Sequence, residues 1–434
     1  MRTPLIIAAV LVALAAVPPF LGLGLQNALV NVLIASLFAL AFNLLIGQAG
    51  LLSFGHAAYF GVGAFATLHL MRIIEDGVID FPTPLLPLAG AVAGLVVGAI
   101  AGFFATMRSG VYFALVTLAI AELFHALAPR WQGLFGGEAG LSSMRMPWGG
   151  ITFGSTLQVY YLTLGWVAIS IWVLWAYTRT PFGRLTLALR DNEQRVRFLG
   201  YNAHATKVIV FAVSAMFSGI AGALQATSNE VANYSLFSSH VSAQVVLYTF
   251  VGGSIVFFGP LLGAAIFTLF AYLISDLTRS WLLYQGLIFV LVMLYAPAGI
   301  GGIVQTHARH WQRLDWSRLA GPYALGGLGG GLVAAAVVFL TESLGVLFDE
   351  AYAVARRGAG GGYPPFEAFG IPWDPLSPVT WGVPLALFVV GLVLLLRARR
   401  AIAERWDAVR SAPAVPAAGP GPDARTASTQ QIAG

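Results

Sequence analysis

The chain has 434 residues, 58 % of them hydrophobic and only 9 % charged, with a mean hydropathy of +0.81. Soluble domains carry about 25 % charged residues, so this balance excludes an ordinary soluble domain and points to a polytopic membrane protein. There is no cysteine, which removes disulfides, cysteine zinc sites and thiol nucleophiles, and the net charge of +5 forms no basic face of the kind nucleic acid requires.

In chain order, apolar runs lie near 5 to 24, 27 to 47, 56 to 72, 85 to 107, 110 to 128, 156 to 178, 207 to 227, 243 to 257, 261 to 275, 281 to 300, 322 to 346 and 380 to 397. They predict an all-α fold of about 12 transmembrane segments, because lipid offers no partner to an unpaired backbone amide. Residues 1 to 24 fit a retained span or a signal peptide; the missing cleavage site favours the span.

Charge orients the runs. With the N-terminus inside, 17 of the 23 Lys and Arg fall on the cytoplasmic side, at Arg2, Arg108, the 179 to 207 loop, Arg309 to Arg318 and the tail. The C-terminus is then cytoplasmic too. The stretch 243 to 275 is interrupted by "VGGSIVFFGP". Two short segments meeting at Gly259-Pro260 keep this arrangement, whereas one long helix places the basic "HARHWQRLDWSR" segment outside.

Two runs carry small-residue ridges that let helix backbones approach in lipid: Gly90, Gly94, Gly98 and Gly102 in one, and Ser214, Ser218, Gly222 and Ala226 in the other. Residues 1–305 read as a core, 306–400 as an extension with two further spans and an extracytoplasmic loop at 347–379, and 401–434 as a disordered cytoplasmic tail. The tail becomes too poor in large apolar groups to fold from about Ser411.

Catalytic signatures are missing. The only lysine, Lys207, lies between Thr206 and Val208 rather than in a P-loop, and neither H-E-x-x-H nor G-x-S-x-G occurs. His307 and His310 lack a neighbouring carboxylate cluster, so no metal site is expected. Glu122 and His125, one turn apart, read as lying near the outer end of their helix and pairing with each other or with a neighbouring helix, or as a proton relay.

The segment from Arg179 to Lys207 gathers eight charged residues. It predicts a helix from about Leu185 to Leu199 ending at Gly200, with Leu185, Leu189, Val196 and Leu199 on one side. Arg190, Asp191, Glu193, Arg195 and Arg197 are then available to another protein. Such a helix, joined to a small-residue span, suits a lever.

At this point the chain resembles the branched-chain amino-acid ABC transporter permeases, M-type. The resemblance rests on "NLLIGQAGLLSFGHAAYFGVGAF" (43 to 65), "SGVYFALVTLAIAELF" (109 to 124), "GGEAGLS" (136 to 142), "TPFGRLTLALRDNEQRVRFLGYN" (180 to 202), "FSGIAGAL" (217 to 224), "GGSIVFFGPLLGAAIF" (252 to 267) and "GLIFVLVMLYAPAGIGG" (286 to 302). Together these cover roughly residues 25 to 305.

The resemblance implies an ABC importer permease fold in a bacterial inner membrane, with no catalysis and no cofactor of its own. It implies a second homologous permease (H-type), two cytoplasmic ATPases that hydrolyse the ATP, and a periplasmic solute-binding protein. The ATPase-coupling loop maps onto Gly183, Arg184, Ala188, Arg190, Asp191, Asn192, Glu193 and Gly200. Two glycine-broken segments are candidates for the translocation path or gate: Gly47, Gln48, Gly50, Ser53, Gly55 and His56, and Gly252, Gly253, Gly259, Pro260 and Gly263. Close helix packing is the other reading of the same glycines. The rival function is a self-sufficient secondary transporter or channel. The 347–379 loop, outside the resemblance, is expected to touch the binding protein or the partner permease.

Overall fold

The computed structural model describes residues 10, 12–311, 314, 316–358 and 362–411. The chain divides into two compact units, one up to His307 and one from Ala308.

In the first unit, α1 is Leu23–Asn43, α2 His56–Glu75, α3 Pro87–Ala105, α4 Val111–Leu127 and α5 Thr156–Arg179. After these come α6 (Pro181–Asp191), α7 (Glu193–Phe198), α8 (Ala203–Asn229), α9 (Ser239–Gly252), α10 (Gly259–Ile274), α11 (Trp281–Tyr295) and α12 (Gly299–His310). Most of the predicted span at 5 to 24 lies outside the described residues. Its described end is helical up to Ala16 and is held by α5, where the hydroxyls of Tyr160 and Tyr161 donate to the carbonyls of Leu14 and Ala15.

Helix α8 is the centre, packing on α1, α2 and α3. The two ridges read from the sequence do not pack against each other. The α3 glycines meet a different face of α8: a Cβ on Gly90 would strike Ala223 at 2.6 Å, and one on Gly102 would strike the Phe211 ring at 3.0 Å. The Ser214–Gly222 ridge faces α1 and α2 instead, with Ser214 Oγ donating to the Ala41 carbonyl at 2.6 Å and Gly222 lying against the Phe60 carbonyl. At Gly219 three backbones converge, since Gly63 of α2 and Gly90 and Gly94 of α3 all approach it. Without hydrophobic force between helices in lipid, such close approach is what holds the bundle.

Among the described residues, helices long enough to cross are fewer than the twelve apolar runs. Among the described residues seven helices are long and apolar enough to cross, or eight if the pair α11 and α12, bent by 46°, is one span. Helices α4, α9 and α10 have 17, 14 and 16 residues, about 21 to 26 Å at 1.5 Å per residue, short of a hydrocarbon layer of about 30 Å. Apolar composition marks immersion in the membrane but does not fix how far a helix runs through it.

Helices α9 and α10 bear out the expectation of two short segments. Gly252 lies on the Gly259 carbonyl and Gly263 on that of Tyr248, the pairing of an antiparallel hairpin. The first segment ends at Gly252, five residues before the run to 257 implied, and the turn opens at Gly253, whose φ of +102° suits glycine.

In the second unit, α13 (Trp316–Leu347) and α15 (Pro378–Ser411) pack together, crossing where a Cβ on Gly329 or Gly391 would stand 2.8 Å from the other's carbonyl. The 347–379 connection, expected as a loop, contains α14 (Glu350–Gly358) and an antiparallel hairpin of β1 (Phe366–Ala368) and β2 (Ile371–Trp373). Residues 401–411, assigned above to the tail, continue α15; the rest of that tail, 412–434, lies outside the described residues.

Candidate functional site

The charged loop folds as two helices, not one. Thr180 caps α6, its Oγ1 accepting from the Gly183 amide at 3.0 Å with Pro181 at the first helical position. Asn192 then takes an extended conformation (φ −161°, ψ 101°) and caps α7 through the Arg195 amide at 2.9 Å. The asparagine is a cap, not a helical residue, which is why the predicted 185–199 helix breaks there. Gly200 does terminate α7. It sits at φ +87°, its amide on the Arg197 carbonyl and the Tyr201 amide on that of Val196, the two bonds of a Schellman motif.

Leu189 and Val196 are buried with Ala203, Leu185 packs alongside, and Leu199 is 68 % exposed instead of joining them. The terminating glycine turns Leu199 off the helical face that the spacing assumed. Arg184, Ala188, Asp191, Asn192 and Arg195 are exposed, while Gly183 is pressed onto the Tyr177 carbonyl at the end of α5.

Of the charges expected to face a partner, Arg190, Glu193 and Arg197 are engaged within the chain. Glu193 receives Lys207 Nζ on Oε2 and Arg197 on Oε1, both at 2.6 Å. Lys207 also donates to Ser109 Oγ at 2.8 Å, just ahead of α4. Glu193 therefore ties α7 to α8 and to the start of α4. Burial pushes its carboxyl up, but the hydrogen bonds and charges of Lys207 and Arg197 outweigh that and hold it below its ordinary value.

The loop also reaches the first broken segment. After α1 the chain widens into a π-helical turn, Leu44–Ala49, ending at Gly50 with φ +69°. Arg190 Nη1 donates to the Gly47 carbonyl, and a Cβ on Gly50 would meet Arg190 Cγ at 2.7 Å. On the other side of Gly47 stands the second broken segment, where a Cβ would lie 2.5 Å from the Ser254 carbonyl. The bend between α11 and α12 closes on the same place, with Gly299 against Gly253 and Gly301 beneath the Gly252 carbonyl. Helix α6, both breaks and the α11–α12 bend thus form one junction.

The remaining residues of the first break turn inward. Ser53 and His56 are fully buried. Ser214 Oγ donates to the Ala41 carbonyl, so it accepts from His56 Nε2–H at 2.8 Å; Ser53 Oγ then donates to Nδ1 at 3.1 Å. The network contains no carboxylate, and the rings of Phe42, Tyr59 and Phe211 surround the imidazole. Gly55 abuts the Thr117 carbonyl, and Gly259, Pro260 and Gly263 are buried in the hairpin. Of the candidate path residues, Gln48 is half-buried and Gly50 exposed.

Glu122 and His125 are not joined; His125 Nδ1 donates to the Tyr234 carbonyl at 3.3 Å. Among the described residues no group of three or more His, Asp or Glu could hold a metal ion. Sequence reasoning missed Ser109, Lys207, Ser214 and Ser254. Their partners lie far away in sequence or are bare carbonyls, so no local signal marks them.

Residues 24–297 match the family described as the branched-chain amino acid transport system permease component. The high-affinity branched-chain amino acid transport system permease protein LivM of Escherichia coli (strain K12) is 28 % identical over 323 residues, covering 69 % of this chain and 75 % of that protein. The galactose/methyl galactoside import permease protein MglC of Salmonella typhimurium is 28 % identical over 278 residues, 59 % of this chain and 80 % of its own. The autoinducer 2 import system permease protein LsrC of Escherichia coli (strain K12 / DH10B) is 29 % identical over 149 residues, 32 % of this chain and 40 % of its own. No solved structure matches significantly.

Proposed function

Because the chain belongs to the branched-chain amino acid transport permease family, and is thus a multi-pass permease of the ATP-binding cassette importers, we propose that it moves a branched-chain amino acid or a related small polar solute across a bacterial inner membrane. Its partners in this reading are a second homologous permease, two cytoplasmic ATPase subunits that hydrolyse the ATP, and a periplasmic solute-binding protein. Both termini lie in the cytoplasm, as the cation distribution favours. Among the three relatives named, the branched-chain amino acid permease aligns over the longest stretch, which supports that solute class.

The observation that carries the mechanism is Arg190 on the Gly47 carbonyl. A push delivered to α6 and α7 by ATP-driven closure of the ATPase pair moves the 44–50 turn through Arg190. It moves α8 through Glu193 and Lys207, and the 253–258 turn follows through Ser254. The pathway gate in this reading is the junction of the two broken segments.

The rival secondary transporter finds little support. His56, the buried ionisable candidate of the first break, is bound by two hydroxyls with no carboxylate in its network. The deciding experiment is reconstitution in liposomes. The full complex with binding protein should take up solute only with ATP, and the chain alone should take up none under an ion gradient. Uptake by the solitary chain would overturn the reading.

A further inference from the structure

The second unit lies outside the residues that match the permease family. Its connecting segment, 348–377, presents a surface that water does not explain. Phe348 is 85 % exposed, Leu376 71 %, Phe369 62 % and Ile371 53 %. An apolar group of this kind on a small folded cap marks contact with something apolar.

The depth of this cap is set by the helices it joins. The apolar run of α15 from Pro378 to Leu396 spans about 28 Å, matching a hydrocarbon layer, and is followed at once by Arg397, Arg399 and Arg400. The crossing of Gly329 with Gly391 sets α15 antiparallel to α13 and places the Glu342 region of α13 level with Pro378. The cap does not stand above that level. The Phe369 ring stacks on Phe339 at 6.2 Å and Trp373 meets the same ring edge-on at 4.8 Å. Phe339 is three residues, about 4.5 Å, inward of Glu342. The hairpin tip is therefore folded back along the span, at the boundary between headgroups and acyl chains.

The turn itself agrees. Phe369 and Gly370 join β1 to β2 with both φ values positive, +57° and +73°. Asn or Asp with Gly adopts such a turn most readily, so a phenylalanine there sacrifices backbone comfort to place a ring at the tip. In the same cap, Arg356 stacks on Tyr363 at 4.1 Å, and Arg357 is exposed. Arginine and aromatic residues of this kind belong at the membrane interface.

We propose that residues 348–358 and 362–377 form a membrane-interface clasp, in which Phe348, Phe369, Ile371 and Leu376 enter the headgroup–acyl boundary and Arg356 and Arg357 engage lipid phosphates. The partner is the phospholipid surface in general. Asp349, Glu350, Glu367 and Asp374 outnumber the two arginines, so selection of anionic headgroups is not expected. The clasp does not depend on the transport reading above.

The absence of native cysteine makes the test direct. Single variants Phe348→Cys and Phe369→Cys of the full chain carry a nitroxide label and are reconstituted in phosphatidylcholine vesicles, with Leu392→Cys as the lipid-facing reference and Arg195→Cys as the aqueous one. Collision with oxygen should exceed collision with a water-soluble nickel chelate at both clasp sites, and adding phosphatidylglycerol should not change the ratio by more than about twofold. Greater access to nickel than to oxygen at residues 348 and 369 would overturn the clasp. So would access to neither, the signature of a covering protein, or nickel access at Leu392, which would take the unit out of the bilayer.

Discussion

Glu193 and Lys207 meet at 2.6 Å across the turn that links α7 to α8, with the Lys207 side chain only 5 % exposed and that of Glu193 26 %. This pair converts a charged loop into a fixed part of the bundle.

Removing one partner should harm more than removing both. Lys207→Met leaves a half-buried carboxylate short of its main partner and should cost about 2–3 kcal/mol, less than a fully buried pair because Glu193 retains solvent. The double variant Glu193→Gln, Lys207→Met should be more stable than Lys207→Met alone. Thermal unfolding of all four forms in detergent gives the cycle, and simple additivity would mean that the ion pair is not a coupled unit.

The pH dependence has a definite sign. The folded Glu193 carboxyl is held below its ordinary 4.5, so its stabilising contribution is complete above that value and disappears as pH falls through the lower folded value. Proteolytic nicking of the 179–207 loop should stay constant from pH 8 to about 5 and rise only below. Loosening between pH 7 and 6 would point to a different titrating group.

Arg190→Ala should separate the two halves of the mechanism. In the reconstituted complex, ATP hydrolysis should persist while uptake falls by tenfold or more, since the link to Gly47 is lost and the loop's anchoring through Glu193 is kept. Equal losses of hydrolysis and uptake would make Arg190 a docking residue instead of a transmitter.

Gly50→Ala probes the same junction from the other side. Its φ of +69° disfavours any Cβ by about 1 kcal/mol, and the added methyl meets Arg190 Cγ at 2.7 Å. Uptake should drop, and the combination with Arg190→Ala should be milder than the product of the two single effects.

Helix packing gives a paired comparison. Gly219→Ala drives a methyl into the Gly90 carbonyl and should destabilise by about 1–3 kcal/mol. Gly165→Ala, in α5 with nothing within 4 Å of the added carbon, should be neutral or stabilising by up to about 1 kcal/mol. Melting temperatures of the two variants should move in opposite directions, or only the first should move.

Much of this architecture was legible from residues alone. Apolar runs located the membrane helices, because a backbone in lipid has to pair with itself. "VGGSIVFFGP" announced the α9–α10 turn, since glycine and proline act through their own local backbone, and Gly200 announced the end of α7 for the same reason.

What the tertiary structure decided was partnership and depth. Nothing in the spacing of the α3 glycines says which face of α8 receives them, because both faces carry small residues. The Arg190–Gly47 contact joins positions 143 apart, and Glu193–Lys207 joins positions 14 apart across a helix break. Arginine and glutamate read as solvent-facing because composition records the cost of burying a charge, not the presence of the partner that offsets it. Likewise, a 14-residue apolar run and a 24-residue one are both recognisably of the membrane. Only the folded chain shows that one turns back after about 21 Å while the other is long enough to cross, because length in lipid is settled by where the backbone meets another segment.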